Sequence, residues 1–559
     1  MKHKFFSKVI SQLLVLTICM GIVPMTAFAS EAEIATVQDD DQITTFQSFE
    51  STLAPGITQN VNSGYAADGK LINYYISIAD INRDDVGVQA SYKDAQCDTL
   101  GMSKMTEQAA AMNEKHTNAD DADNYIPHYA VVAGVNGDGY NTGTAMPSGA
   151  HVMNGVSGFG ITKAGNSSWF AIFEDGTALC GANNTDWDEA VAAHGPVQEA
   201  IGGFQLVRKN GVDIAYSNSS YLNDGRYPRS FVGVTADNNV VFMTVDGNGA
   251  GGSVGSNYAE SLELMDEVGC TYILCLDGGG SATYISRPAG SSDIKVTNTP
   301  SDGSERAVSN GLVMYTSTPP SDTFEKAEVT AENYYVTPGS EVKVSAIGIS
   351  PAGTAAEIPE NAVWTATNGT VEDGVFVSDG TIGAADISLT VDGVVVGSTT
   401  INVVLPDSVA FNREVVTVPF GATIELEVSA KYGLYDVAVK ESDFTFTVAD
   451  TTVGTVSGNK FTAAETGEGT TITVSVNGAD SSVTDTLSVK LGKGSEVIFD
   501  FEADTDGADL DNWAIRDHGN NTHIFTDLSV VTEETGMVHD GDSALAFNYH
   551  IWIRRILSS

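Results

Sequence analysis

Between Thr271 and Arg287 the chain reads TYILCLDGGGSATYISR, an apolar run that ends on an acid and three glycines. A strand ending there fixes the carboxylate of Asp277. Gly278, Gly279 and Gly280 let backbone N–H groups approach a ligand with no Cβ in the way. Ser281 and Thr283 add hydroxyl donors, and successive free N–H groups form an anion-binding nest. Other segments are richer in glycine and polar residues than turns require. AGVNGDGYNTGTAMPSGAHVMNG, from Ala133, carries Asn136 and Asp138 behind the strand-like YAVVAGV. YPRSFVGV places Arg229 just before a strand, TVDGNGAGGSVG leaves Asp246 at a strand's end, and SERAVSNGLVMY holds Arg306 and Asn310. Five of the ten arginines (Arg208, Arg226, Arg229, Arg287 and Arg306) fall between residues 208 and 306. In so acidic a chain that gathering points to an anion site, because guanidinium pairs bidentately with phosphate or carboxylate. GNGAGG lacks the acidic spacing of a calcium loop. There is no H-E-x-x-H, and His116, His128, His151 and His194 are scattered; no metal and no cofactor is expected.

Elements that can position these residues follow from turn chemistry and periodicity. WFAIFEDGTALCG and FQLVRKNGVDIAY alternate around Asp175-Gly176 and Asn210-Gly211, and SFVGVTADNNVVFMTV turns at Asn238-Asn239, giving an antiparallel meander. KMTEQAAAMNEK puts Met105, Ala109 and Met112 on one helical face. NYAESLELMDEVG does the same for Tyr258, Leu262 and Met265, with Gly269 as its stop. Helices inside a meander predict an α+β domain.

The flanks are of other kinds. Lys2, Lys4 and Lys8, an apolar stretch from Val9 to Val23 and Ala27-Phe28-Ala29 read as a signal peptide over 1–29. Its removal takes three lysines and no acids, moving the net charge from -46 to -49. Such a charge repels nucleic acid and anionic lipid. No other stretch is apolar enough to span a bilayer, so no membrane span is expected in the mature chain, which reads as secreted or cell-envelope associated. Residues 30–60 are read as a linker, and STPPSD (317–322) as a boundary. Beyond it, YYVTPGSEVKVSAIGI and VVTVPFGATIELEVSAKY match in outline, as do SLTVDG and TVSVNG. The offset predicts two all-β immunoglobulin-like sandwiches, 323–405 and 406–492, acting as spacers. Residues 496–559 open like a jelly-roll carbohydrate-binding module but are too few for eight strands, so a partial module is expected. Cys97, Cys180, Cys270 and Cys275 suit buried thiols or one incidental disulfide.

Taken together, NGDGYN, MPSG, VMNG, PRSFVGVTADNNVVFMTVDG, ESLELMDEVGCTYILCLDGGGSAT and ERAVSNGLVMY, in that order, resemble the phosphodiester glycosidases. The resemblance covers Val61 to Tyr315, within a domain read as 61–317. It departs at Gly139, where an aromatic is usual, and at Asn248, where an arginine is usual. What it implies is hydrolysis of a sugar-1-phosphodiester in a glycan, cell-wall glycans included. Phosphate is a good leaving group, so the site must stabilise an oxocarbenium-like sugar and a charged phosphate. Asp277 and Asp138 are then the paired carboxylates, one stabilising the sugar cation and one activating water, with Asp246 a third acid. Arg229 and Arg306, with the Gly278–Gly280 backbone, would hold phosphate; Asn136 and Asn310 would orient sugar hydroxyls. Glu260 lies in the family run as a further catalytic candidate, although Asn257-x-x-Glu260 also reads as a capping box. A phosphodiesterase cleaving the P–O bond, or a glycan-binding surface protein without turnover, would use the same residues.

Overall fold

The computed structural model describes residues 43–158, 167–214, 225–433 and 435–492, and the backbone of two paired strands, His523–Thr532 and Ser543–Ile551. The signal-peptide residues 1–29 and most of the jelly-roll-like segment lie outside the described residues. Strands dominate; the described residues hold three α-helices, α1 (Met105–Thr117), α2 (Asn184–His194) and α3 (Tyr258–Glu267). The chain divides into two compact units, 1–404 and 405–559.

The first unit is built on an eight-stranded antiparallel sheet. Its spatial order is Ile43–Ala54, Ile57–Ala66, Leu71–Ala79, Val240–Val245, Arg229–Thr235, Cys270–Cys275, Gln205–Lys209 and Val212–Asp213. Alternation sends successive side chains to opposite faces. Val232, Val234, Phe242 and Leu274 go to one face, against a five-stranded sheet that includes Val86–Tyr92, Ala130–Asn136 and Asn310–Thr316 and is backed by α1. Phe231, Met243, Ile273 and Cys275 go to the other, beneath Tyr258, Leu264 and Met265 of α3. The Cys270–Cys275 strand is thus apolar because it is covered on both sides. Met105, Ala109 and Met112 of α1 are fully buried, and Gly269, with φ +78°, follows α3 in the left-handed conformation that favours glycine.

One sequence expectation is corrected. The segment read as a linker becomes, from Ile43, the outer hairpin of the large sheet, paired from Ile43↔Ala66 to Ala54↔Ile57. Its turn is Pro55-Gly56, with φ +78° at Gly56, so a boundary at 61 would cut a strand. Helix α2 was not foreseen. Asn183 caps it by accepting from the N–H groups of Thr185 and Asp186, and Trp187 packs edge-on against Trp169 at 5.1 Å.

Two all-β modules follow, Lys326–Val403 in the first unit and Ser408–Gly492 in the second. They repeat one pairing scheme. In the first, Tyr335–Val336 runs parallel to the end of Val394–Val403. In the second, Val415–Pro419 runs parallel to Ser488–Gly492 over five residue pairs. The four described cysteines are free thiols, and no helix among the described residues is long and apolar enough to cross a membrane.

Candidate active site

The large sheet delivers three segment ends to one rim. Arg229 opens a strand and pairs with Val245, which closes the next; Phe231 pairs with Cys275, two residues before Asp277. Across from this rim, the strands of the five-stranded sheet bring Asn136–Asp138 and Asn310. Backbone bonds strap these pieces together: Asp277 N–H donates to Gly137 O and Gly137 N–H to Asn310 O, both at 2.9 Å. A Cβ on Gly137 would lie 2.4 Å from Asn310 Oδ1, so the close approach requires glycine.

Asp138 and Asp277 therefore sit as neighbours, from segments 139 residues apart. Asp138 is 2% exposed, and its carboxylate accepts from the N–H of Gly149 at 2.5 Å. Burial pushes its pKa up to about 7, with the Asp277 charge adding to the push; the N–H groups of Gly149, Gly139 and Ser148 hold it back. Asp277 is more accessible. Burial raises its pKa too, opposed by Ser281, by the Gly278 N–H and by the positive charge of Arg306. Ser281 is fully buried, and its hydroxyl accepts from Arg306 Nη1 at 3.3 Å. Arg306 also pairs with Asp302 at 2.7 Å. Gly280 lies flat against that pair, where a Cβ would stand 2.0 Å from Arg306 Nη2.

Several residues singled out from sequence are committed elsewhere. Asn136 is scaffold rather than a sugar ligand: its Oδ1 accepts from Ser230 Oγ and Thr283 N–H, and its Nδ2 donates to Asp277 O at 2.8 Å. Asn310 is likewise fully buried, accepting from Asp138 N–H at 3.0 Å and meeting His151 Nδ1 at 3.2 Å. Of the three glycine N–H groups expected to cradle phosphate, that of Gly278 goes to Asp277 Oδ1 and that of Gly279 to Pro228 O. Thr283 is fully buried, and its hydroxyl has no partner among the described residues.

Arg229 turns its guanidinium onto the Tyr258 ring, 4.3 Å from the centroid, and donates to the carbonyls of Ser256 and Gly225. Asp246 is caged by Tyr75, Asn298 and the Thr299 N–H, with burial raising its pKa to about 6. Glu260 is the N3 residue of the α3 capping box with Asn257, and it pairs with Arg226 at 2.6 Å. The arginine gathering is not one anion site. Arg208 pairs with Asp213 and Asp266, Arg226 also with Asp68, and Arg287 donates to Leu53 O; of the five, Arg306 is the one whose charge acts on Asp277.

Sequence reasoning missed a buried chain behind Asp138. Asn310 spends its Oδ1 on the Asp138 N–H, so its Nδ2 faces His151 Nδ1, which must accept. The ring proton then sits on Nε2, 3.0 Å from Cys97 Sγ. Burial lowers the His151 pKa to about 4 and raises that of the Cys97 thiol to about 12, so both stay neutral at pH 7. This fixed tautomer cannot take a proton from the thiol, and the chain serves to position Asn310. No spacing in the sequence links Cys97, His151 and Asn310. Among the described residues no three His, Cys, Asp or Glu side chains converge on a metal position.

Residues 129–315 match the family model described as phosphodiester glycosidase. Among solved structures, the zebrafish N-acetylglucosamine-1-phosphodiester alpha-N-acetylglucosaminidase catalytic domain, auto-inhibited by its pro-peptide, is 18% identical. It covers 49% of this chain and 87% of its own, at a TM-score of 0.35. A hypothetical protein from Synechocystis is 10% identical, covering 48% of this chain and 64% of its own, at a TM-score of 0.34. Curated proteins give no match. The matched span contains both neighbouring carboxylates, Gly280, Arg306 and Asn310, so the similarity to the phosphodiester glycosidase family falls on the residues of this site.

Proposed function

We propose that the protein hydrolyses glycosyl-1-phosphodiester bonds, releasing the sugar from phosphate, and that it does so outside the cell. The observation that carries this reading is the pairing of Asp138 and Asp277 next to an arginine seated on a glycine. In the reaction, the oxygen of water bonds to the anomeric carbon while the bond from that carbon to the phosphate oxygen breaks. The bonding electrons stay on the phosphate, and the water's proton passes to the carboxylate pair. Asp277, the more accessible acid, faces the positive charge that develops on the sugar. Asp138, buried and poised at about 7, holds or receives the proton, as a base near its working pH should. Arg306 and the Gly280 backbone take the phosphate as it leaves. The signal-like residues 1–29 and the net charge of -46 support export.

The test is turnover of a glycosyl-1-phosphodiester such as UDP-N-acetylglucosamine in oxygen-18 water. Label in the free sugar is expected, with Asp277→Asn at least about 10³-fold slower. Label in phosphate alone would assign P–O cleavage and overturn the reading. So would glycan binding with no product from any of a panel of such diesters.

A further inference from the structure

Phe204 is the single residue between the strands Val197–Gly203 and Gln205–Lys209, and 39% of it is exposed. It is tied to both carboxylate segments. Its N–H donates to Cys275 O at 2.9 Å, two residues before Asp277. Its ring tip rests on Gly139, one residue after Asp138: a Cβ there would be 2.7 Å from Cζ and 3.0 Å from Cε1. Alternation accounts for this direction, since Gly202, two residues earlier, faces Asp138, its Cβ position lying 2.4 Å from Oδ2. A large aromatic is thus held by its backbone beside one carboxylate segment and by its ring edge beside the other, yet more than a third of it is left to solvent.

We infer that Phe204 is the platform on which the pyranose ring of the released sugar stacks its apolar C–H face. The inference deepens the proposed function and rests on it. The phosphate side of the site is marked by Arg306 and Gly280, beyond Asp277; Phe204 lies toward Asp138 and Gly139, which leaves the glycosyl side. An aromatic ring suits that place because pyranose C–H groups are weakly positive and the ring face is negative.

The full-length protein is assayed as parent, Phe204→Ala, Phe204→Trp and Gly139→Ala with UDP-N-acetylglucosamine, each variant checked by its melting curve. Phe204→Ala is expected to raise KM about tenfold with kcat within about threefold, and Phe204→Trp to restore KM. Gly139→Ala, which forces the ring tip aside, is expected to raise KM in the same way. An active parent with unchanged KM in Phe204→Ala and Gly139→Ala overturns the platform and leaves the hydrolase standing. If the parent turns over no diester, the hydrolase reading falls, and titration calorimetry with N-acetylglucosamine 1-phosphate decides the platform. Binding about tenfold weaker in Phe204→Ala supports it; equal binding, or none in the parent, overturns it.

Discussion

Replacing Asp138 by asparagine removes one ionisation from the site at almost constant shape. In the folded protein this carboxyl titrates at about 7 against an ordinary value of 3.8, so the fold holds its proton more tightly than the unfolded chain does. The resulting stability is fully present below pH 3.8 and is lost as pH rises through 7. About three pH units at 1.36 kcal/mol each gives about 4 kcal/mol. Three backbone N–H groups work the other way, favouring the charged form. Urea unfolding of parent and Asp138→Asn, followed by tryptophan fluorescence at pH 4 and pH 8.5, isolates the contribution of the carboxylate pair, because titrating groups away from Asp138 and Asp277 cancel in the difference. The variant should gain about 4 kcal/mol on the parent between the two pH values. In parallel, kcat/KM of the parent should rise with pH through an apparent value near 7 belonging to the carboxylate pair, and the variant should lose that limb along with most of its activity. A stability difference that is flat in pH would mean that the three N–H groups prevail and Asp138 stays ionised throughout. The assignment of the proton to it would then fail.

Three further outcomes are expected. Gly280→Ala places a Cβ 2.0 Å from Arg306 Nη2. It should cost about 10²-fold in kcat/KM with little change in melting temperature, since an exposed Arg306–Asp302 pair contributes about 0–1 kcal/mol. Glu260→Ala breaks the ion pair with Arg226 and the cap of α3; it should destabilise by about 3 kcal/mol while kcat of the folded protein moves less than about threefold, and the reverse pattern would return Glu260 to the chemistry. Glu199 accepts from the N–H groups of Ala90 and Asn154, each at 2.9 Å, and burial raises its pKa to about 8. Glu199→Gln sets an amide N–H against one of those donors, costing about 1–3 kcal/mol at pH 5 by urea unfolding. Because the parent's Glu199 contribution fades between pH 4.5 and 8, the deficit should shrink as pH rises.

The strand ends were legible because they carry local signals. An apolar run closed by Asp277 and glycines, or an Asn210-Gly211 pair with φ of +52° and +75°, states its geometry within a few residues. The Asn257–Glu260 cap was equally local. Where reading failed, the deciding partner lay far along the chain. Nothing near Arg229 announces that Tyr258 will cover it, and nothing near Asn136 says that Ser230 and Thr283 will use up its amide oxygen. Arginines close in sequence do not converge in space here: the acidic chain gives Arg208, Arg226 and Arg306 carboxylates of their own. The outer hairpin was missed for a different reason. Ile43–Ala54 is largely polar and, as an edge strand, only partly buried, so the apolar alternation that marks a strand is weak there, although Pro55-Gly56 marks its turn.

The matching parallel pairs in the two all-β modules have a mechanical consequence. In the second module an early strand, Val415–Pro419, and the last, Ser488–Gly492, lie side by side and point the same way. Tension applied at the module's two ends draws them past each other lengthwise. Their hydrogen bonds are then strained together rather than opened one after another like a zip, so the module is built to resist stretching along this seam.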